Sequence, residues 1–276
     1  MIDPTALALL TVFLLAVGAG AGVLAGLLGV GGGIVLVPAF YYIFGTIGYD
    51  GPKLMQTCVA TSLATIVITS LRSVKAHAAK GAVRFDILRA WGPGIIAGAA
   101  IGTLVAKQLR SETLTAIFAG LALLVSLYMA FGRSHWRLAE EMPKGWKPYL
   151  YSPGVGFLSV LMGIGGGSFG VPLMTLHGVA IHRAVATAAG FGMLIAVPAV
   201  VLFLVLPAAG TQPPGTIGLV NLPAFVVVVA MTIVTAPLGA RLAHAMDPTP
   251  LKRVFAAFLF LVALNMLRQS LFRGGF

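Results

Sequence analysis

Residues Gly29-Val30-Gly31-Gly32-Gly33-Ile34-Val35-Leu36-Val37-Pro38 recur 134 positions later as Gly163-Ile164-Gly165-Gly166-Gly167-Ser168-Phe169-Gly170-Val171-Pro172. The agreement runs outward from this stretch. Val59-Ala60-Thr61 answers Val185-Ala186-Thr187, Gly102 answers Gly239, and Leu114 with Ile117-Phe118-Ala119 answers Leu251 with Val254-Phe255-Ala256. The chain is therefore read as a duplication: residues 1–132 form the first transmembrane repeat, 133–150 a basic cytoplasmic linker, and 151–276 the second repeat.

The segments around the repeats are those of a membrane protein. Of 276 residues 59% are apolar and 9% charged, and the mean hydropathy is +1.01, which excludes the mixed charged surface of a soluble domain. Asp, Glu, Lys and Arg are absent from Pro4–Tyr49, Leu54–Leu71, Ala90–Ala106, Thr113–Gly132, Pro148–His182, Ala184–Ala240 and Val254–Leu267. A helical crossing needs roughly 20 residues, and a transmembrane barrel would show short alternating segments instead. The expected fold is an all-α polytopic bundle of two homologous repeats. Each copy opens with a Gly-broken, re-entrant or discontinuous helix pair. Three transmembrane helices follow, near 55–71, 88–107 and 112–132 in the first copy and 184–206, 218–243 and 249–270 in the second.

The run from Pro148 to His182 is 35 residues long, too long for one crossing and too short for two with a turn. Its halves, Pro153–Met162 and Ser168–His177, would each make about 15 Å of helix, which suits a hairpin that enters and leaves on one side. In the first copy Pro4–Leu28 could make about 37 Å of helix, enough to span by itself, so spanning and re-entry both stay open there. With re-entrant segments, 13 of the 18 Lys and Arg residues gather on one face and 5 on the other. Basic loops mark the cytoplasmic side. Three crossings per copy then invert the second repeat relative to the first, with both termini outside, as in inverted-repeat transporters.

The net charge of +11 is thereby assigned to topology, and nucleic acid is not an expected partner. Met1-Ile2-Asp3-Pro4 lacks the basic region of a secretory signal, so the first apolar run is expected to stay in the mature protein. The single cysteine, Cys58, excludes an intrachain disulfide and a thiolate cluster. No cofactor or metal is called for, and the residues of an enzyme are missing. The spans hold no acid, no His-rich cluster and no Ser/His/Asp set.

Consecutive glycines hold a helix poorly, each costing on the order of 1 kcal/mol relative to Ala. Non-helical backbone at membrane depth persists only where protein encloses it or water reaches it. Freed N–H groups at Gly31, Gly32 and Gly33, and at Gly165, Gly166 and Gly167, together with the positive ends of half-helices starting at Ile34 and Ser168, form an anion site without a basic side chain. No strand precedes the glycines and the Lys of a phosphate-binding loop is missing. Gly18, Gly20, Gly22, Gly26, Gly98 and Gly102 read instead as helix-packing positions. Thr61 and Thr187 come early in equivalent helices and could offer hydroxyls to an oxyanion. Thr65 and Thr69 are expected to back-bond to their own helix. His77, His177 and His182 fall at loop edges, solvated or acting as pH-sensitive gates.

The paired glycine runs with Pro38 and Pro172, the segment Ala60-Thr61-Ser62, and the stretch from His77 through Lys80-Gly81-Ala82-Val83-Arg84 to Pro93-Gly94 resemble the TauE/SafE family of sulfite and organosulfonate exporters. That resemblance covers nearly the whole chain. It implies a bacterial-type inner-membrane permease for a small anionic substrate, sulfite, sulfoacetate or a related sulfonate, working within the lipid bilayer. It also brings Ser62 into the substrate-binding set of Gly31, Gly32, Gly33, Thr61, Gly165, Gly166, Gly167, Ser168 and Thr187. The second copy reads Ala186-Thr187-Ala188 where the first reads Ala60-Thr61-Ser62, so the hydroxyl of Ser62 has no counterpart. Uptake of thiosulfate or another small anion, or a passive channel, is the alternative. The oligomeric state is not legible.

Overall fold

The computed structural model describes residues 4–29, 32–132, 136–205, 212–245 and 249–273. These fold into ten helices and one small ribbon. The first copy contains α1 (Pro4–Leu28), α2 (Gly33–Thr46), α3 (Leu54–Ala78), α4 (Phe85–Gln108) and α5 (Ser111–Phe131). The second contains α6 (Pro148–Leu161), α7 (Gly167–Leu176), α8 (Ile181–Val205), α9 (Leu222–Ala245) and α10 (Thr249–Arg273). The chain is an all-α polytopic membrane protein. Seven of the described helices, α1, α3, α4, α5, α8, α9 and α10, are long and apolar enough to cross a bilayer.

The half-length pair expected in the second copy is present, as α6 of 14 residues and α7 of 10. The first copy differs. Its opening helix α1 runs 25 residues and breaks only at Gly29, and α2 adds 14. The reason lies upstream of the shared motif. In the common register Pro148 corresponds to Leu14, and the residues ahead of Leu14 are uncharged back to Pro4, whereas those ahead of Pro148 include Glu140, Glu141, Lys144 and Lys147. Helix α6 starts at Pro148, directly after these charged residues.

At the centre, α3 is buried along most of its length and lies against α8, while α1, α5, α9 and α10 form outer positions. Their outward side chains, Leu9, Val12 and Phe13 on α1, Leu124 and Phe131 on α5, and Val226 and Val234 on α9, are apolar and exposed, as a lipid-facing surface requires. The partners are exchanged between copies. Helix α1 packs on α9, and α6 packs on α4. Both contacts are made through glycine: a Cβ on Gly26 would overlap the Ala236 carbonyl and one on Gly239 that of Val23, while Gly156 and Gly98 meet Ile95 and Pro153 in the same way. Small residues let helix backbones approach where no hydrophobic force drives them together. Gly18, Gly22 and Gly102 pack likewise, whereas Gly20 faces open space.

A ribbon not expected from the sequence, β1 (Thr216–Ile217) paired antiparallel with β2 (Val220–Asn221), leads into α9. Asn221 caps that helix by accepting the Ala224 N–H through its side-chain oxygen at 3.1 Å. His77 also departs from its expected setting. It is buried, and its Nε2 lies 3.1 Å from the carbonyl of Gly26, so the ring joins the end of α3 to the end of α1.

Candidate functional site

The two glycine breaks, separated by 134 residues in the chain, meet inside the bundle. Gly33, the first residue of α2, packs so closely on the Gly163 carbonyl that a Cβ there would overlap its oxygen and lie 2.9 Å from the Ile164 Cα. Ser62 joins them from α3, donating its hydroxyl to that same carbonyl at 2.7 Å. Each break also rests on the central helix of the opposite copy: a Cβ on Gly29 would lie 2.6 Å from the Val185 carbonyl, and one on Gly163 would lie 3.0 Å from the Val59 Cα. Val59 and Val185 are equivalent positions of the duplication. Gly29 and Gly163 both have positive φ, +69° and +61°, a conformation that L side chains rarely adopt.

The remaining glycines of the expected set divide. Gly31, with Val30, lies outside the described residues. Gly32 adopts a left-handed conformation as the residue preceding α2, and no side chain caps that helix start. Gly165, Gly166 and Gly167 are buried. Phe191 covers Gly166 so tightly that a Cβ there would overlap its own Cβ. The hydroxyl of Ser168, in the first turn of α7, is buried without a hydrogen-bond partner.

Thr61 and Thr187 each bond the backbone of the other copy. The Thr61 hydroxyl accepts the backbone N–H of Asn221 at 2.9 Å, and the Thr187 hydroxyl accepts that of Arg84 at 3.0 Å while donating to the Arg183 carbonyl. Asn221 and Arg84 immediately precede α9 and α4. The two threonines thus do one job twice, each tying the start of a helix in the other copy to a central helix. Thr61→Val or Thr187→Val, which keeps the shape and removes the acceptor, is expected to cost about 1–2 kcal/mol by stranding a buried N–H. Unfolding in detergent checks this, with equal losses at both positions expected. Thr65 and Thr69 back-bond as anticipated, to Ser62 and Thr65 carbonyls.

Beside the first break lies a narrow gap lined by Ala25, Gly29, Thr69, Ser70, Ser73 and Ala189. It holds no charged side chain. Ser70 and Ser73 were not singled out by sequence, although their spacing with Thr69 places three hydroxyls on adjoining positions of α3. A second, open hollow is lined by Tyr41, Asp50, Leu54, Ser111, Glu112 and Gln269, among others. Its two carboxylates suit it poorly to an anion.

Comparison with known proteins bears on this geometry directly. The profile of the sulfite exporter TauE/SafE family matches residues 14–266, which takes in both breaks. A "probable membrane transporter protein" of Haemophilus influenzae is 33% identical over 253 residues, covering 91% of this chain and 96% of the relative. A protein of the same description from Methanocaldococcus jannaschii is 27% identical over 267 residues, covering 94% and 96%. The probable membrane transporter protein YunE of Bacillus subtilis is 31% identical over 184 residues, covering 60% and 67%. No solved structure matches the chain.

Proposed function

The chain belongs to the TauE/SafE family and is a membrane transporter rather than an enzyme, and from that premise we propose that it exports small sulfur oxyanions, sulfite, sulfoacetate or related organosulfonates, across the cytoplasmic membrane. The observation that carries this reading is the meeting of Gly33 with Gly163, which brings two helix breaks together in the interior. Broken helices at membrane depth are where transporters hold their cargo. The uncapped start of α2 and the hydroxyl of Ser168 provide donors there, and no Asp or Glu occupies the central helices α3 and α8 to oppose a negative solute. We assign the substrate contacts to the backbone of Gly31, Gly32 and Gly33 and of Gly165, Gly166 and Gly167, with Ser62 and Ser168 beside them. Thr61 and Thr187 couple the copies.

Alternating access follows from inversion of the repeats, which the helix directions support. Thr187, near the start of α8, reaches Arg84, which lies beyond the end of α3; Thr61, near the start of α3, reaches Asn221, beyond the end of α8. Equivalent helices therefore run antiparallel. In such a pair the arrangement around one break opens to one face as its counterpart closes to the other. Among the described glycines, Gly33 is closed off by the Gly163 carbonyl and Gly166 by Phe191. The face bearing most of the basic loops is cytoplasmic in this reading.

The driving force is electrical. An interior-negative potential expels each negative charge with about 2.3 kcal/mol per 100 mV, and a dianion gains roughly twice that, so export needs no coupled ion. Proteoliposomes loaded with sulfite test the proposal. Efflux is expected to saturate with sulfite and to accelerate when an inside-negative potential is imposed. Efflux no faster than from protein-free vesicles would refute it. Parallel vesicles loaded with thiosulfate or sulfoacetate rank the cargoes.

A further inference from the structure

Ser70 and Ser73 are buried on α3, 2% and 1% exposed, and neither hydroxyl has a hydrogen-bond partner. The gap they line beside Gly29 leaves essentially no room for a water-sized sphere in this conformation. A buried donor left unmade is costly. Packing does not demand it. The register that pairs Thr61 with Thr187 pairs Ser70 with Ala196 and Ser73 with Ala199, and both alanines are fully buried on α8. Thr69 likewise corresponds to Ile195, also fully buried. The second copy builds the same helix with apolar side chains. The first carries hydroxyls at a cost that the fold does not require.

We propose that Ser70 and Ser73 form a hydroxyl site for the transported oxyanion, reached when the gap beside Gly29 widens, and that this site exists in the first copy alone. The proposal deepens the transport reading above and rests on it. Neutral O–H donors suit an anion carrying at least two acceptor oxygens. A cation would need free carbonyls, and two at the end of α1 are engaged: Ala25 accepts the Gly29 N–H at 3.0 Å, and the His77 ring lies against the Gly26 carbonyl. The gap also adjoins the break that leads into the uncapped start of α2, so the anion would move from hydroxyl donors to peptide donors without meeting a fixed charge. The corresponding positions on α8 are apolar, so the two stages of alternating access offer the anion unequal surroundings, with binding confined to the α3 side.

Ser70→Ala, Ser73→Ala and the double variant test this, with Ser159→Ala as control, since Ser159 is another buried, unpartnered hydroxyl that does not line the gap. Sulfite binding to purified protein and the half-saturating sulfite concentration for efflux are read together with the unfolding temperature in the absence of sulfite. Each single variant is expected to weaken both about tenfold and the double variant about a hundredfold, as losing hydrogen bonds to a charged ligand implies. The unfolding temperature should hold or rise, because an unpaired buried hydroxyl has been removed. The control should match the parent. A double variant with unchanged sulfite affinity overturns the site while leaving the transport reading intact. If the parent protein ignores sulfite but binds thiosulfate or sulfoacetate, and the double variant loses that binding, the sulfite cargo fails and the site stands. Absence of binding to every oxyanion tested overturns both.

Discussion

Leucine at Gly33 is expected to reduce sulfite efflux to the level of protein-free vesicles. The Cβ alone would overlap the Gly163 carbonyl oxygen and approach the Ile164 Cα and the Ile66 Cδ1 to 2.9 Å each. Two of those three neighbours are backbone of the other break, which has no rotamer to change. The breaks would be forced apart where, in our reading, they enclose the anion, and Ser62 would lose its hold on Gly163. Over-packing of this kind commonly costs 1–3 kcal/mol, so the variant is expected to fold with a lowered unfolding temperature and no flux. Gly33→Ala carries the clashing carbon with the least added bulk and should show the same loss of flux at smaller cost to stability. Gly20→Leu is the comparison, because a side chain there meets nothing within 4 Å. Wild-type efflux from Gly33→Ala would remove the meeting of the breaks from the mechanism.

The largest loss of stability is expected at the α1–α9 contact. A Cβ on Gly26 would overlap the Ala236 carbonyl oxygen and lie 2.5 Å from the Ala240 nitrogen, and one on Gly239 would lie 2.8 Å from the Val23 carbonyl carbon. These are helix backbones in direct contact, so relief requires moving a whole helix. In a bilayer, where lipid is as apolar as leucine, close packing is what holds such helices together. Gly26→Leu is expected to cost at least about 3 kcal/mol, the upper end of ordinary over-packing, and Gly239→Leu the same. The double variant should cost less than the sum, because one displacement of α1 relieves both clashes. Thermal unfolding in detergent and the yield of folded protein measure this. An unchanged melting curve for Gly26→Leu would show that α1 is not anchored through this contact. Gly98→Leu on the exchanged α4–α6 contact should behave alike, since its Cβ would overlap the Pro153 carbonyl.

Local composition made much of the fold legible. Charge-free runs located the long helices, and residues 112–132 and 249–270 correspond closely to Ser111–Phe131 and Thr249–Arg273. The glycine cost located both breaks, and the charged residues before Pro148 are consistent with the short α6. Thr65 and Thr69 were readable because back-bonding is a local event, complete within one turn. Other features depended on residues far away in the chain. The Thr61 hydroxyl accepts the N–H of Asn221, 160 positions on, a partner that no local pattern announces. The ribbon at Thr216–Asn221 consists of two-residue strands, too short for any periodicity to register.

By itself the sequence determined that this is a polytopic helical protein whose glycine-rich motif occurs twice, because hydropathy, charge and helix propensity act within a few residues of where they are written. Only the tertiary structure decided which backbone each glycine touches, that Thr61 and Thr187 cross to the other copy, and that Ser70 and Ser73 are left with no partner. A serine on a helix reads the same whether its hydroxyl is paired, solvated or stranded. The difference is made by which helix lies against it, and that is settled when all of them pack at once.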